Sequence, residues 1–291
     1  MPSAKIKDKK TIDEISKKYS QGTSLQKLAT EYRCGTIKPI KTALRNAGIA
    51  LRTNDECIRK YTANYNYFDV IDTPNKAYVL GFIYADGCNY MNDKSRVYHL
   101  CIELKADDVD LLLDIKNELG YTGVIKYQTH KKTDCANTDT ALFWICSHHI
   151  CDELCKKGAP PNKSRKIKWP DWMPEHLASH FIRGVMDGDG CIDVRGRLSF
   201  AGTGDLMHGI EKCIYNNTGA RGGVYKCTNT DCTYEVKYGK KEAARVLEWI
   251  YKDADLKLKR KYERYLDICS KTQMERCESR KNCTHDAWPT A

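Results

Sequence analysis

A chain of 291 residues that is 41% hydrophobic can bury two or three cores, and 48 Lys and Arg against 38 Asp and Glu give it a formal charge of +10. No stretch approaches the roughly 18 unbroken apolar residues of a membrane span, and the opening MPSAKIKDKK lacks the apolar run of a signal peptide. These features point away from the membrane, to a soluble intracellular chain of unspecified compartment. Its surplus positive charge suits a polyanion, nucleic acid first.

Residues 1–50 read as a first, all-α domain of three short helices: TIDEISKKYS, SLQKLATEYR, and TIKPIKTALRNAGI stopped by Gly48. Leu25, Leu28 and Ala29, followed by Ile37, Ile40 and Leu44, recur at the spacing of helices packed together. The pattern Y-x-x-G-x-S-x-x-x-L-A-x-x-Y resembles the helix-turn-helix of small DNA-binding domains. That resemblance makes the third helix the reader. Lys38, Lys41, Thr42 and Arg45 then face the major groove, and Arg52 extends the positive surface. Periodicity fades over 51–72, which reads as a linker.

At Thr73 a helix cap precedes Pro74, and the helix that follows carries VLGFIYADG. Next come a strand through VYHLCIELK, a helix in DDVDLLLDIKNELG, strands GVIKYQTH and ALFWICS, and a helix in HHICDELCKKG. The series then repeats as HFIRGVMDGDG, RLSFAG, GDLMHGIEKCIYNNTG, GGVYKCTN, TYEVKYG and KKEAARVLEWIYKD. The chain is therefore an internal duplication, with halves at 73–170 and 171–268 and a tail at 269–291.

Small residues four apart, Gly81 and Ala85 in one motif helix and Gly184 and Gly188 in the other, share a helix face. Two such stripes allow close backbone approach, so the motif helices should form the interface between the halves. Gly87 and Gly190 are expected as left-handed C-terminal caps. Asp86 and Asp189 each end a helix, where the macrodipole is negative, and close packing brings the two like charges together. Divalent cations remove that conflict, and oxygen ligands suit Mg²⁺. Carboxylates holding metals between scissile phosphates make a hydrolytic centre.

The doubled motif, VLGFIYADG and IRGVMDGDG, resembles the two copies of LAGLIDADG in monomeric homing endonucleases of introns and other mobile elements, over about residues 65–268. The resemblance implies an α+β fold of two αββαββα halves related by pseudo-two-fold symmetry, with saddle-shaped antiparallel sheets over double-stranded DNA. It implies a monomer that makes a staggered double-strand break in a long asymmetric site. Two or three Mg²⁺ ions would be shared between the DNA and the pair Asp86 and Asp189, with Ala85 and Gly188 beside them at the metal site. Tyr84 departs from the pattern, whereas Asp187 keeps the earlier aspartate. The family also places a basic residue near each metal, late in each half. PNKSRKIKWP offers Lys163, Lys166 and Lys168, LKLKRKYERY offers Lys259 and Lys261, and Lys163 and Lys261 are favoured.

Strand alternation puts Tyr225, Tyr234, Val236 and Tyr238 on one face. Lys126, Gln128, His130, Arg195, Arg197, Lys226 and Lys237 suit the face laid on DNA. Two other readings share these features. One is a DNA-binding regulator that keeps the fold without cutting, against which the retention of both Asp86 and Asp189 stands. The other is an RNA maturase assisting intron splicing. The fifteen cysteines fall inside helices and strands and read as reduced thiols. In the tail, Cys269, Cys277, Cys283 and His285 lack the tight spacing of most structural zinc sites.

Overall fold

Three short helices open the chain, each started by its own local signal. In this computed structural model, residues 6, 8–21, 23–51, 61–130, 138–228 and 233–270 are described. Linker residues 52–60, Arg52 among them, and Cys277, Cys283 and His285 lie outside them. The chain divides after Lys60 into two units. In the first, Asp8 caps α1 (Lys9–Ser20) by accepting from Thr11 N, and Ser24 caps α2 (Leu25–Glu31) by accepting from Lys27 N. Pro39 lies in the first turn of α3 (Lys38–Asn46). Leu28, Ala29, Ile40 and Leu44 are buried together as their spacing requires, joined by Ile15, Tyr19 and Cys34. Leu25 and Ile37 pack against that cluster half-buried.

The second unit runs α4 (Pro74–Ala85), β1 (Gly87–Asn92), β2 (Val97–Lys105), α5 (Val109–Glu118), β3 (Lys126–His130), β4 (Thr138–Cys146) and α6 (His148–Lys156). It then repeats the order with α7 (Glu175–Asp189), β5 (Cys191–Ile192), β6 (Leu198–Gly202), α8 (Gly204–Thr218), β7 (Gly223–Lys226), β8 (Tyr234–Tyr238) and α9 (Lys240–Tyr251). Each half is αββαββα, and a further helix, α10, covers 259–270. Both sheets are antiparallel with the same order, β1-β2-β4-β3 and β5-β6-β8-β7. The expected duplicated α+β fold is present. Among the described residues no helix is long and apolar enough to cross a membrane.

One core runs through both halves, and the motif helices are its centre: from Ala77 to Tyr84, every residue of α4 is buried. A helix buried all round needs room for a partner backbone, and the small residues supply it. A methyl at Gly81 would collide with the Phe181 carbonyl oxygen, and one at Gly184 would lie 2.6 Å from Phe82 N. At Gly188 it would collide with the Ala85 methyl.

Gly87 and Gly190, by contrast, are not left-handed caps. Gly190 is extended, at φ −84° and ψ 159°, and Gly87 is not among the positive-φ glycines. Each helix passes directly into a strand, and glycine is needed there for space. A Cβ would meet Ile83 Cα at 2.7 Å after α4, or the Met186 carbonyl oxygen at 2.5 Å after α7.

Since the obstacle at Gly81 and Gly184 is backbone and cannot rotate away, Gly81→Ala or Gly184→Ala should cost about 1–3 kcal/mol of stability. Equilibrium urea unfolding measures this, and an unmoved midpoint would mean that the helices part without penalty.

Candidate active site at the paired helix ends

Asp86 forms the C-cap of α4, and Asp189 is the last residue of α7. Both side chains keep contact with solvent. The close helix contact delivers them to one place: a methyl at Gly188 would stand 3.4 Å from Asp86 Oδ2. Surrounding protein raises both carboxyls above their ordinary range. For Asp86 the charge of Asp189 adds to that rise, while Lys261, Lys163 and Arg260 oppose it. For Asp189 the opposing charges are Lys163 and Lys261. The like charge thus adds to the rise at Asp86, and the two lysines oppose the rise at both carboxyls.

Those lysines are the pair favoured from the sequence. Lys163 Nζ donates to the Ala85 carbonyl oxygen at 2.6 Å. Lys261 Nζ lies against four carbonyl oxygens, of Met186 at 2.7 Å, Asp187 at 2.8 Å, Gly188 at 3.2 Å and Gly190 at 2.7 Å. Each ammonium sits where a helix leaves its last carbonyls without partners. Burial pushes the Lys163 ammonium down, and that of Lys261 to about 8. Lys166, Lys168 and Lys259 are exposed, with Lys166 Nζ 3.4 Å from the Pro161 carbonyl oxygen.

Ala85 and Gly188 stand beside the two aspartates, as placed from the sequence. Their carbonyl oxygens accept from the ammoniums of Lys163 and Lys261. The two carboxylates are hard oxygen ligands that fit Mg²⁺.

Behind the exposed pair lies a buried polar layer that the sequence reading did not include. Asp187 is fully enclosed and accepts from Tyr78 Oη and Leu258 N, both at 2.8 Å, and from Tyr251 Oη at 3.3 Å. Burial lifts its carboxyl to about 6. Arg183, buried one turn earlier, donates to Leu256 O at 3.0 Å, Ile250 O at 2.8 Å and His180 Nδ1 at 2.9 Å. Burial and the Arg183 charge hold His180 down at about 4, so it is neutral and accepts. A signal was available: an arginine one helical turn before Asp187, on the same helix face and between apolar neighbours.

Sheet register sorts the DNA-contact candidates. Lys126, Gln128 and His130 share the outward face of β3, opposite Leu142, Thr140 and Thr138. Lys126 Nζ stands 4.0 Å over the Trp144 ring, and Glu103 Oε1 gathers Gln128 at 2.9 Å and His130 at 2.7 Å. Lys237 lies outward on β8, across from Ser199. Arg195 and Arg197 occupy the exposed turn between β5 and β6, where Arg197 Nε donates to Asp193 Oδ2 at 2.6 Å.

Lys226 and Tyr225 are exchanged relative to the expectation. Lys226 pairs with Tyr234, on the face that continues into buried Val236, and Tyr225 stands outward across from Glu235. In the first unit Lys38, Thr42 and Arg45 are exposed on α3, and Lys41 is half-buried. On the surface of the second unit, ligand atoms of Asp69, His149 and Glu153 lie within 4.8 Å of one another.

No family model and no curated protein matches the sequence. Solved structures of LAGLIDADG homing endonucleases are among those it is similar to. The complex of I-DmoI with DNA and Mn is 18% identical, covering 61% of this chain and 96% of that one, with a TM-score of 0.44. The homing endonuclease I-WcaI bound to its DNA recognition sequence is 12% identical, covering 72% and 91%, with a TM-score of 0.47. The LAGLIDADG meganuclease I-AabMI bound to uncleaved DNA is 14% identical, covering 71% and 92%, at 0.45. At these scores the likeness adds nothing to what the geometry itself carries.

The state of Lys261 can be read from stability. Its folded form releases a proton near pH 8, whereas the unfolded chain keeps it to about 10.5. Between those values the unfolded state binds more protons, so this group's contribution to stability rises with pH. The stability difference between wild type and Lys261→Met should therefore grow in favour of wild type from pH 8 to 10.5 by chemical denaturation. A flat difference would place the ammonium in solvent.

Proposed function

We propose that the chain is a site-specific DNA endonuclease that hydrolyses one phosphodiester in each strand of a long asymmetric duplex, leaving a staggered break. The observation that carries this reading is the meeting of two solvent-reaching carboxylates, Asp86 and Asp189, at the ends of paired helices, each beside its own lysine. Two such centres on a pseudo-two-fold suit the two strands of a duplex. Asp86 and Asp189 would hold divalent cations, Mg²⁺ by their hard oxygens. When bound, such ions activate water and neutralise the leaving oxyanion. Lys163 and Lys261 would supply positive charge next to the scissile phosphates, and Lys126, Gln128, His130, Arg197 and Lys237 would follow the groove. The protein acts as a monomer because its own duplication provides both centres.

Asp86→Asn and Asp189→Asn should leave affinity for a selected duplex nearly intact while cleavage in Mg²⁺ falls by orders of magnitude. A duplex library incubated with each variant, read by sequencing of ends, provides the measurement. Full cutting by the double variant would put the chemistry elsewhere. Tight binding of a specific site by wild type without any cutting would instead favour the regulator reading.

In the first unit, Lys38, Lys41, Thr42 and Arg45 on α3 would read additional base pairs. Arg45→Ala should then weaken specific binding by roughly 1–3 kcal/mol with the cut position unchanged, followed by gel shift and end mapping. Unaltered affinity would remove α3 from the interface.

A further inference from the structure

Lys163 and Lys261 reach the helix ends from distant parts of the chain, and each segment must be held for its ammonium to stay in place. In the second half the grip comes from Asp187, whose Oδ2 accepts from Leu258 N at 2.8 Å. Leu258 O accepts in turn from Lys261 N at 3.0 Å, in the first turn of α10. The carboxylate therefore fixes the residue from which the Lys261 turn begins. Tyr78 and Tyr251 orient that carboxylate, and Arg183 holds Ile250 O and Leu256 O on the way there.

The first half carries Tyr84 at the matching motif position, so this grip is missing. The Tyr84 hydroxyl instead donates to Lys157 O at 2.6 Å, at the end of α6 and shortly before Lys163. Gly158 is fitted to it. That residue has φ +98°, and a Cβ there would collide with the Tyr84 hydroxyl. Asn89 continues the hold, its Nδ2 donating to Ala159 O at 2.9 Å.

We propose that Tyr84 and Asp187 are positioning residues, each setting the placement of the lysine in its own half. The departure at Tyr84 is then an exchange of one anchor for another, from a carboxylate on a backbone N–H to a phenol on a backbone carbonyl. This inference rests on the nuclease reading, and it makes the two strands separately adjustable. Loosening one anchor displaces one lysine only.

The test uses the full chain, Mg²⁺ and a duplex selected by wild type, with each strand labelled separately and enzyme in saturating excess. Tyr84→Phe should slow nicking of one strand by roughly ten- to a hundredfold, and Asp187→Asn should slow the other. The ratio of the two rates then moves in opposite directions in the two variants. Partial unfolding removes whole molecules and lowers both strands together, so it leaves the ratio where it was. If Asp187→Asn does not fold, Tyr84→Phe and Tyr251→Phe carry the comparison, since each deletes one hydroxyl. Equal slowing of both strands, or an unmoved ratio, overturns the positioning role while leaving the nuclease reading intact. A wild-type protein that cuts neither strand overturns that reading and the inference with it.

Discussion

Everything in the second unit depends on two backbones touching. Phe181 O fills the space where Gly81 has no side chain, and Phe82 N and Tyr78 O do the same at Gly184. Contact this close is not driven by apolar transfer alone, because few side-chain atoms lie between the axes. It gains from dispersion over a long seam and from the rings of Tyr84 and Phe181, whose centroids lie 5.0 Å apart, edge to face. The geometric consequence matters more than the energy. Two helices that cross at their glycines must end near one another, so the aspartates that terminate them cannot be separated without undoing the core.

That constraint creates an electrostatic problem that the chain solves twice. Helix C-termini carry orphan carbonyls and partial negative charge, and here each also carries a carboxylate. From the sequence, divalent cations alone were the evident remedy. The structure has a second one, since Lys163 and Lys261 satisfy the carbonyls directly and attract both carboxylates. The same bonds tie the carbonyl oxygens of Ala85 and Gly188 to the two ammoniums.

What could be read in the sequence was whatever periodicity and spacing determine. The αββαββα order, the glycine seam and the meeting of Asp86 with Asp189 follow from the doubled motif and the alternation of apolar residues. Legibility ended where a single residue of register decides the outcome. On β7, Val224 pairs with Val236, so Tyr225 faces outward and Lys226 does not, the reverse of what composition suggests for a tyrosine and a lysine. It also ended at Gly87 and Gly190, where a glycine after a helix suggested a left-handed cap. The true requirement there, room beside Ile83 and Met186, is a property of the helix-to-strand corner. The polar layer of Arg183, Asp187, Tyr78 and Tyr251 is drawn from both halves, and its local sign is limited to Arg183 one turn before Asp187.

That layer also breaks the symmetry of the two lysines. An ammonium has three hydrogens to give. Lys261 faces four carbonyl oxygens and is 6% exposed, so its hydrogens are fully engaged around the end of α7. Among the described residues Lys163 makes one such bond, to Ala85, and is half-buried. Under the proposed function, a phosphate arriving between the aspartates would therefore meet two unlike cations. Lys163 can turn a hydrogen toward it at once, whereas Lys261 must release a carbonyl first, leaving a buried acceptor without a partner at a cost of about 1–3 kcal/mol. The second half compensates in structure for what it loses in availability. Arg183 and Asp187 lock the segment from Ile250 to Leu258, so that Lys261 is held in place even with its hydrogens committed. Duplication repeated the fold, but the two ends of the seam came to hold their charge by different means.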